Sequence, residues 1–412
     1  MAVKLPWHDA AMDELGPAPR PEDLPEHPTA FEVDRPAVAP LLAGYWAFGQ
    51  YWGVWVILVL EFQRFHGISD SRLGILYTFL SIVALVVMLL VAPRLQPFSL
   101  RVSVPLSLMC LAIGAAAIGY LNTSVIWLGF VLVGAGNGLI DVYLNVAAQR
   151  AEVATRRPVL QWLHASYALG GVTGAAATGL ILASGLDFRL ALAYAGANLL
   201  AMAVWNAATA SAGREPKGAE SAFSLSALFR SPALWVPAVA VMFAFLVEGS
   251  MDTWSGLYLR GQLGASATMA AIAFIAFATA VFFGRMFAGR VLFGLGPRTT
   301  ILLSGTGSAI ASTLAVMTSN PWVVGLAYLL LGFTISAAAP AAYGLVEGID
   351  EDPSQAIAAV TTVGYTGFIW SPALLGYMAQ KISLRAAMSV IVVATFGIIG
   401  TGFVAKDRER AG

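Results

Sequence analysis

The sequence predicts an all-α integral membrane protein, with twelve transmembrane helices arranged as two pseudo-symmetric six-helix halves. Hydrophobic residues make up 58% of the 412 and charged residues only 11%, against roughly 25% charged in ordinary soluble domains. The apolar runs divide into twelve segments near the ~20 residues that a bilayer crossing needs. They cover 41–63, 71–93, 99–121, 124–149, 158–184, 189–211, 232–259, 266–291, 298–318, 321–347, 355–380 and 384–405. The longest polar break, 212–231, falls after the sixth and cuts the chain into six plus six.

The segments outside the spans follow from composition. Residues 1–39 carry Pro17, Pro19, Pro21, Pro25, Pro28 and Pro36 among mixed charges, with no apolar core before Leu41. This reads as a disordered cytoplasmic tail and not as a signal peptide. The halves are 40–211 and 232–405, joined by a cytoplasmic linker 212–231 and followed by a short tail, 406–412. Within the linker, Ser224–Arg230 fits a short amphipathic helix lying on the membrane.

Orientation follows from the basic residues. With an even span number both termini share one side. That side holds 17 of the 23 Lys and Arg and the other holds 6, so both termini are expected in the cytoplasm. Arg285, Arg290 and Arg298 are assigned to the termini side, and no Lys or Arg is expected near the middle of a span.

Several function classes drop out. One cysteine, Cys110, rules out a disulfide framework or thiolate cluster. A formal charge of zero points to no nucleic acid partner. There is no G-x-x-x-x-G-K-[ST] and no G-x-S-x-G, and four scattered histidines make neither a triad nor a metal set. An enzyme, a bound cofactor and a resident metal are not expected.

The stretch 122–150 carries the chemistry. It is apolar enough to span, yet holds Asn137, Asp141, Asn145 and Gln149 at a strict spacing of four. On a helix these make one slowly drifting stripe, about 18 Å long at ~1.5 Å per residue. An intramembrane carboxyl is costly unless it faces water or polar partners, so Asp141 is a functional candidate by default. The bland alternative is a hydrogen-bonding hub that never titrates. Glu248 and Asp252 share a face of span 7 at i, i+4; Glu248 is the stronger coupling candidate, while Asp252 lies nearer the external end. His164 is the one histidine inside a span and suits a proton relay or a helix-contact hydrogen bond. Glu61 is placed at the external rim, within reach of Arg64. Glu347, with Asp350, Glu351 and Asp352, reads as a solvated cap of span 10. Of the span 1 aromatics, Tyr51 and Trp55 share a face, as do Trp46 and Gln50, and one or two of these should line a cavity. Asn137, Asn145, Gln50, Tyr51, Trp55 and Asp252 are the substrate-binding candidates.

Longer motifs carry a family resemblance. GRMFAGRVLFGLGPRTT, residues 284–300, resembles the loop signature of the major facilitator superfamily, with Gly284, Arg285, Gly289, Arg290, Gly296 and Arg298 in register. The signature's acid is absent, which weakens its charge clamp; Gly284, Arg285, Arg290 and Arg298 are the conformational-latch candidates. GNGLIDVYLNVAAQR (136–150), RPVLQWLHASYALGGVTGA (157–175), LVEGSMDTWSGLYL (246–259) and GYTGFIWSPALLGYMA (364–379) resemble the fucose permease-related branch of bacterial inner-membrane permeases. That resemblance implies the major facilitator fold, a monomeric working unit and a role for Asp141 in proton and sugar binding. A second acid on span 1 of the branch has no counterpart here, where GQYWGVWV offers only Gln50.

The expectation is a secondary transporter in the bacterial plasma membrane. Its partners would be a small polar solute, sugar-like or otherwise neutral, together with protons and the lipid bilayer. It would work by symport with alternating access around a midplane site. The alternative is a proton-coupled antiporter that exports amphipathic or cationic compounds. A non-transporting sensor would have no use for the Asp141 stripe.

Overall fold

The computed structural model describes residues 37–95, 99–209, 226–346 and 353–405. The proline-rich tail, linker residues 210–225, the Glu347–Asp352 cluster and the C-terminal tail lie outside these. Among the described residues there are twelve long helical segments and no strand. We number them α1 (Val38–His66), α2 (Asp70–Leu95), α3 (Leu100–Tyr120), α4 (Ile126–Thr155), α5 (Val159–Ala183) and α6 (Arg189–Thr209) in the first half. The second half holds α7 (Pro232–Gln262), α8 (Ala267–Leu295), α9 (Pro297–Met317), α10 (Pro321–Gly344), α11 (Pro353–Lys381) and α12 (Leu384–Val404).

Eleven of these are long and apolar enough to cross a membrane. The twelfth, α1, is 29 residues long, and its run of tryptophan, tyrosine, glutamine and glycine dilutes its hydropathy without shortening it. The amphipathic segment expected at Ser224–Arg230 contributes a helix at Ser226–Arg230. Its Ala227 and Leu228 are buried, and the Arg230 guanidinium donates to the Gln355 side chain at 3.0 Å. It therefore packs against α11.

Lipid is as apolar as leucine, so nothing pushes two apolar helices together in a bilayer except close packing and polar contacts. The sequence answers with glycine. A Cβ built on Gly170 of α5 would lie 2.0 Å from the Trp46 carbonyl oxygen of α1. The helices touch backbone to backbone, and α1–α5 is the most intimate pair of the first half. Its counterpart is α7–α11, where Gly367 meets the Met242 carbonyl in the same way. The correspondence holds throughout: α3 packs on α4 and α6 as α9 packs on α10 and α12, and α2 on α4 as α8 on α10. The two halves are thus pseudo-symmetric, as expected.

The halves meet through α2–α11, α5–α8 and α1–α7. All three contacts sit at the end of the bundle remote from the termini. There, Gly179 of α5 faces Ala271 near the start of α8, and a Cβ on Gly256 of α7 would lie 2.0 Å from the Val56 carbonyl of α1. At the termini end a cavity opens between the halves.

Gly170→Ala should force α1 and α5 apart and destabilise the fold by about 1–3 kcal/mol or more. A fall in the detergent melting temperature measures this, and an unchanged melting curve would refute the backbone-contact account.

Candidate functional site

The cavity has a volume of about 280 Å³, close to the lower end of the roughly 300–1,000 Å³ of small-ligand sites. Helices α1, α2, α4 and α5 supply its wall from one half, and α7, α8 and α11 from the other. Its polar lining includes Ser81, Asn137, Asp141, His164, Asp252, Thr253 and Arg285, among Tyr45, Trp52, Tyr77, Tyr167 and Tyr365.

The stripe on α4 divides by position. Asn137 and Asp141 line the cavity, and the Asn137 Oδ1 accepts from the Trp52 indole N–H at 3.2 Å. Asn145 lies one turn further on, outside the lining, and donates to the backbone carbonyl of Asp141 at 2.7 Å. Gln149 is exposed. Only the first half of the stripe therefore lines the cavity. The Asp141 carboxyl has no ion-pair partner among the described residues.

Span 1 presents a different face from the one expected. Gln50, Tyr51 and Trp55 are all buried and none lines the cavity. Gln50 turns towards α6, where its Nε2 donates to the Tyr194 hydroxyl at 2.9 Å. The Trp55 indole donates to the Tyr77 hydroxyl at 2.8 Å, inside a cluster with Phe62 and Phe130. The cavity face is instead Tyr45, Phe48 and Trp52, at spacings of three and four. That periodicity was present in the sequence, but it was masked because α1 is aromatic on several faces. His164 lines the cavity and is exposed at its open end, its ring edge-on to Tyr45 at 5.5 Å.

Arg285 corrects a larger expectation. The rule that no cation lies near mid-span fails here. Arg285 sits well inside α8, lines the cavity, and donates from Nη2 to both oxygens of Glu248 at 3.0 and 2.9 Å. Glu248 is the more shielded partner, with 15% of its side chain accessible against 49% for Arg285. The four latch candidates thus do not form one device. Gly284 lets α8 approach α10 at Phe333 and Ser336, Arg290 is exposed, and the Arg298 Nε donates to the Gly402 carbonyl of α12 at 3.2 Å. Asp252, expected near the external end, lies on the cavity wall one turn beyond Glu248.

Glu61 pairs with Arg260 of α7 instead of Arg64. The guanidinium also donates to the Ile57 carbonyl at 2.8 Å. Only 10% of the Arg260 side chain and 20% of the Glu61 side chain are accessible. This is a largely buried ion pair that joins the two halves at the closed end. A partner 199 residues away cannot be read from local spacing.

A twelve-helix bundle in two related halves, shut at one end around a central cavity, is the form of one transporter family. The profile of the Major Facilitator Superfamily matches residues 41–372. The chain belongs to that superfamily. An uncharacterised transporter of the superfamily from Yersinia pestis is 28% identical over 345 residues, 82% of this chain and 88% of that one. The membrane protein MosC of Rhizobium meliloti is 22% identical over 87% of each chain. Among solved structures, the nucleoside transporter NupG superposes with a TM-score of 0.73 at 13% identity, over 89% of this chain and 98% of its own. A bacterial homologue of the lysosomal transporter Spinster, inward-facing and unoccupied, gives 0.70 at 17%, over 89% and 96%. The protein is a multi-pass membrane transporter of small molecules, and not an enzyme.

Removing one partner of a buried pair strands the other charge. Glu61→Gln should therefore lower the detergent melting temperature by several degrees, and the swap Glu61→Arg with Arg260→Glu should recover most of that loss. Wild-type melting in the single variant would show that the pair does not hold the halves.

Proposed function

We propose that this transporter imports a small polar solute, sugar-like or otherwise neutral, by symport with protons through alternating access. The observation that carries the reading is the Asp141 carboxyl on the cavity wall, which has no ion-pair partner among the described residues. A carboxyl that no cation neutralises is the group best suited to carry a proton in with the solute and release it on the other side. The solute class follows from the rest of the wall. Among the described residues Arg285 is the one Lys or Arg lining the cavity, and Glu248 offsets it, so this pair offers no net positive charge to draw in an anion. Tyrosine and tryptophan faces suit the C–H faces of a sugar ring, and Asn137 and Asp141 suit its hydroxyls. NupG, the structural neighbour named above, is described as a nucleoside transporter; its likeness supports the fold, and its solute is in keeping with a neutral hydroxylated compound.

By the positive-inside rule the termini are cytoplasmic, and the open end of the cavity then faces the cytoplasm. The working unit is a monomer in a bacterial plasma membrane, in line with the fucose permease-like motifs. Coupling centres on Asp141, with Glu248 and His164 as further proton-handling groups. Solute contacts are assigned to Asn137, Trp52, Tyr45 and Asp252.

Proteoliposomes with a pH-sensitive dye inside test this. Addition of a transported sugar outside should acidify the lumen, and Asp141→Asn should abolish both that signal and the pH dependence of uptake. Alkalinisation by a cationic compound would replace symport with export by antiport. Full accumulation with unchanged pH dependence in Asp141→Asn would remove Asp141 from coupling.

A further inference from the structure

Helix α11 carries a proline, Pro372, in its interior. Proline has no N–H, so the carbonyl four residues back, that of Phe368, has no helical donor, and the ring crowds that same oxygen. An orphan carbonyl at membrane depth is costly, and serine or threonine hydroxyls from a neighbouring helix are among the groups that satisfy it. Here the hydroxyls come from the other half of the protein. Ser81 Oγ of α2 donates to the Phe368 carbonyl at 3.5 Å, and Thr78 Oγ1 donates to the Ile369 carbonyl at 3.0 Å. The two hydroxyls are three residues apart and share a face of α2. Below them the backbones close up, since a Cβ on Gly74 would lie 2.4 Å from the Pro372 carbonyl oxygen. Ser81, Phe368, Ile369 and Pro372 all line the cavity wall, so this seam is where the cavity ends and the closed end begins.

We propose that Pro372 makes α11 a release catch for the closed end: it frees the Phe368 carbonyl, and Ser81 supplies across the two halves the hydrogen bond that the helix lacks. Thr78 grips the neighbouring carbonyl, which keeps its own helical donor from Ala373. When the halves part at this end, Ser81 withdraws and the Phe368 carbonyl turns to whatever donor the cavity holds, water or a solute hydroxyl. Opening is thereby linked to wetting or loading of the cavity. A continuous helix would give no such link, because its carbonyls would be satisfied in either state. The inference rests on the alternating-access part of the function proposed above and is independent of the solute and of the coupling ion.

The experiment is a pulsed electron-spin distance measurement on the full chain in lipid nanodiscs. Cys110→Ser provides the background, and spin labels at Arg72→Cys of α2 and Ile382→Cys after α11 report on the closed end; both positions are exposed. Alternating access predicts a short and a long population. Ser81→Ala should raise the long-to-short ratio about twofold, the low end of one net hydrogen bond because the contact is long. In a Pro372→Ala background, where an N–H again reaches the Phe368 carbonyl, Ser81→Ala should leave the ratio unchanged. Thr78→Val should shift it equally in both backgrounds. Pro372→Gly also restores the N–H and replaces Pro372→Ala if the latter does not elute as a folded monodisperse protein. A Ser81→Ala shift of the same size with and without the proline would overturn the catch, as would no shift in the proline-containing protein. A single short distance in every variant would overturn both the catch and alternating access, which separates the two failures.

Discussion

The bilayer imposes one rule on every part of this protein: a backbone polar group at membrane depth must find its partner inside the protein. Helices satisfy the rule locally, which fixes the architecture, but they then have no hydrophobic reason to associate. Glycines placed where carbonyls of the next helix arrive provide one, as at Gly170 and Gly367. Polar side chains add contacts both within a half, as between Gln50 and Tyr194, and between the halves. Among the described residues, polar contacts between the halves at the closed end include the Glu61–Arg260 pair, Thr78 and Ser81 on α11, and the Tyr77 hydroxyl on the Thr253 carbonyl. Close glycine packing is used both within and between the halves, and these polar contacts add to it where the halves meet.

How much of this was legible depends on the range of the interaction concerned. Span number and class were legible because the membrane writes its thickness into the length of each apolar run. The pseudo-symmetry was legible from the position of the 212–231 break, and Asp141 from the improbability of a carboxyl in such a run. The inward face of α1 was not legible. Aromatic residues occur at 45, 46, 48, 51, 52 and 55, so no single helical face is marked, and only tertiary contacts choose Tyr45, Phe48 and Trp52. Arg285 was misread for a related reason. A basic residue in the cytoplasmic half of a span usually snorkels to the surface, whereas this one turns into the cavity to meet Glu248 on α7. Pairings such as Glu61–Arg260 depend on how two distant helices cross, which no local pattern encodes.

The same logic explains why the loop signature at 284–300 did not behave as one unit. Its glycines and arginines lie on successive faces of a helix end and the start of the next helix. Gly284 therefore serves α8–α10 packing, Arg285 the cavity and Arg298 the contact with α12. A motif read as a device is here three separate contacts that share a stretch of chain.

Both members of the Glu248–Arg285 pair belong to the second half, on adjacent helices α7 and α8. Any rocking of one half against the other carries them together as a neutral pair, so their joint displacement moves no net charge across the membrane. If, as proposed, a neutral solute moves with one proton on Asp141, the transported charge per cycle would be that of the proton alone. On the proposed symport the cycle would be electrogenic, and the voltage would contribute about 2.3 kcal/mol per 100 mV to uphill uptake. A cell could therefore concentrate the solute on membrane potential even where no pH gradient exists.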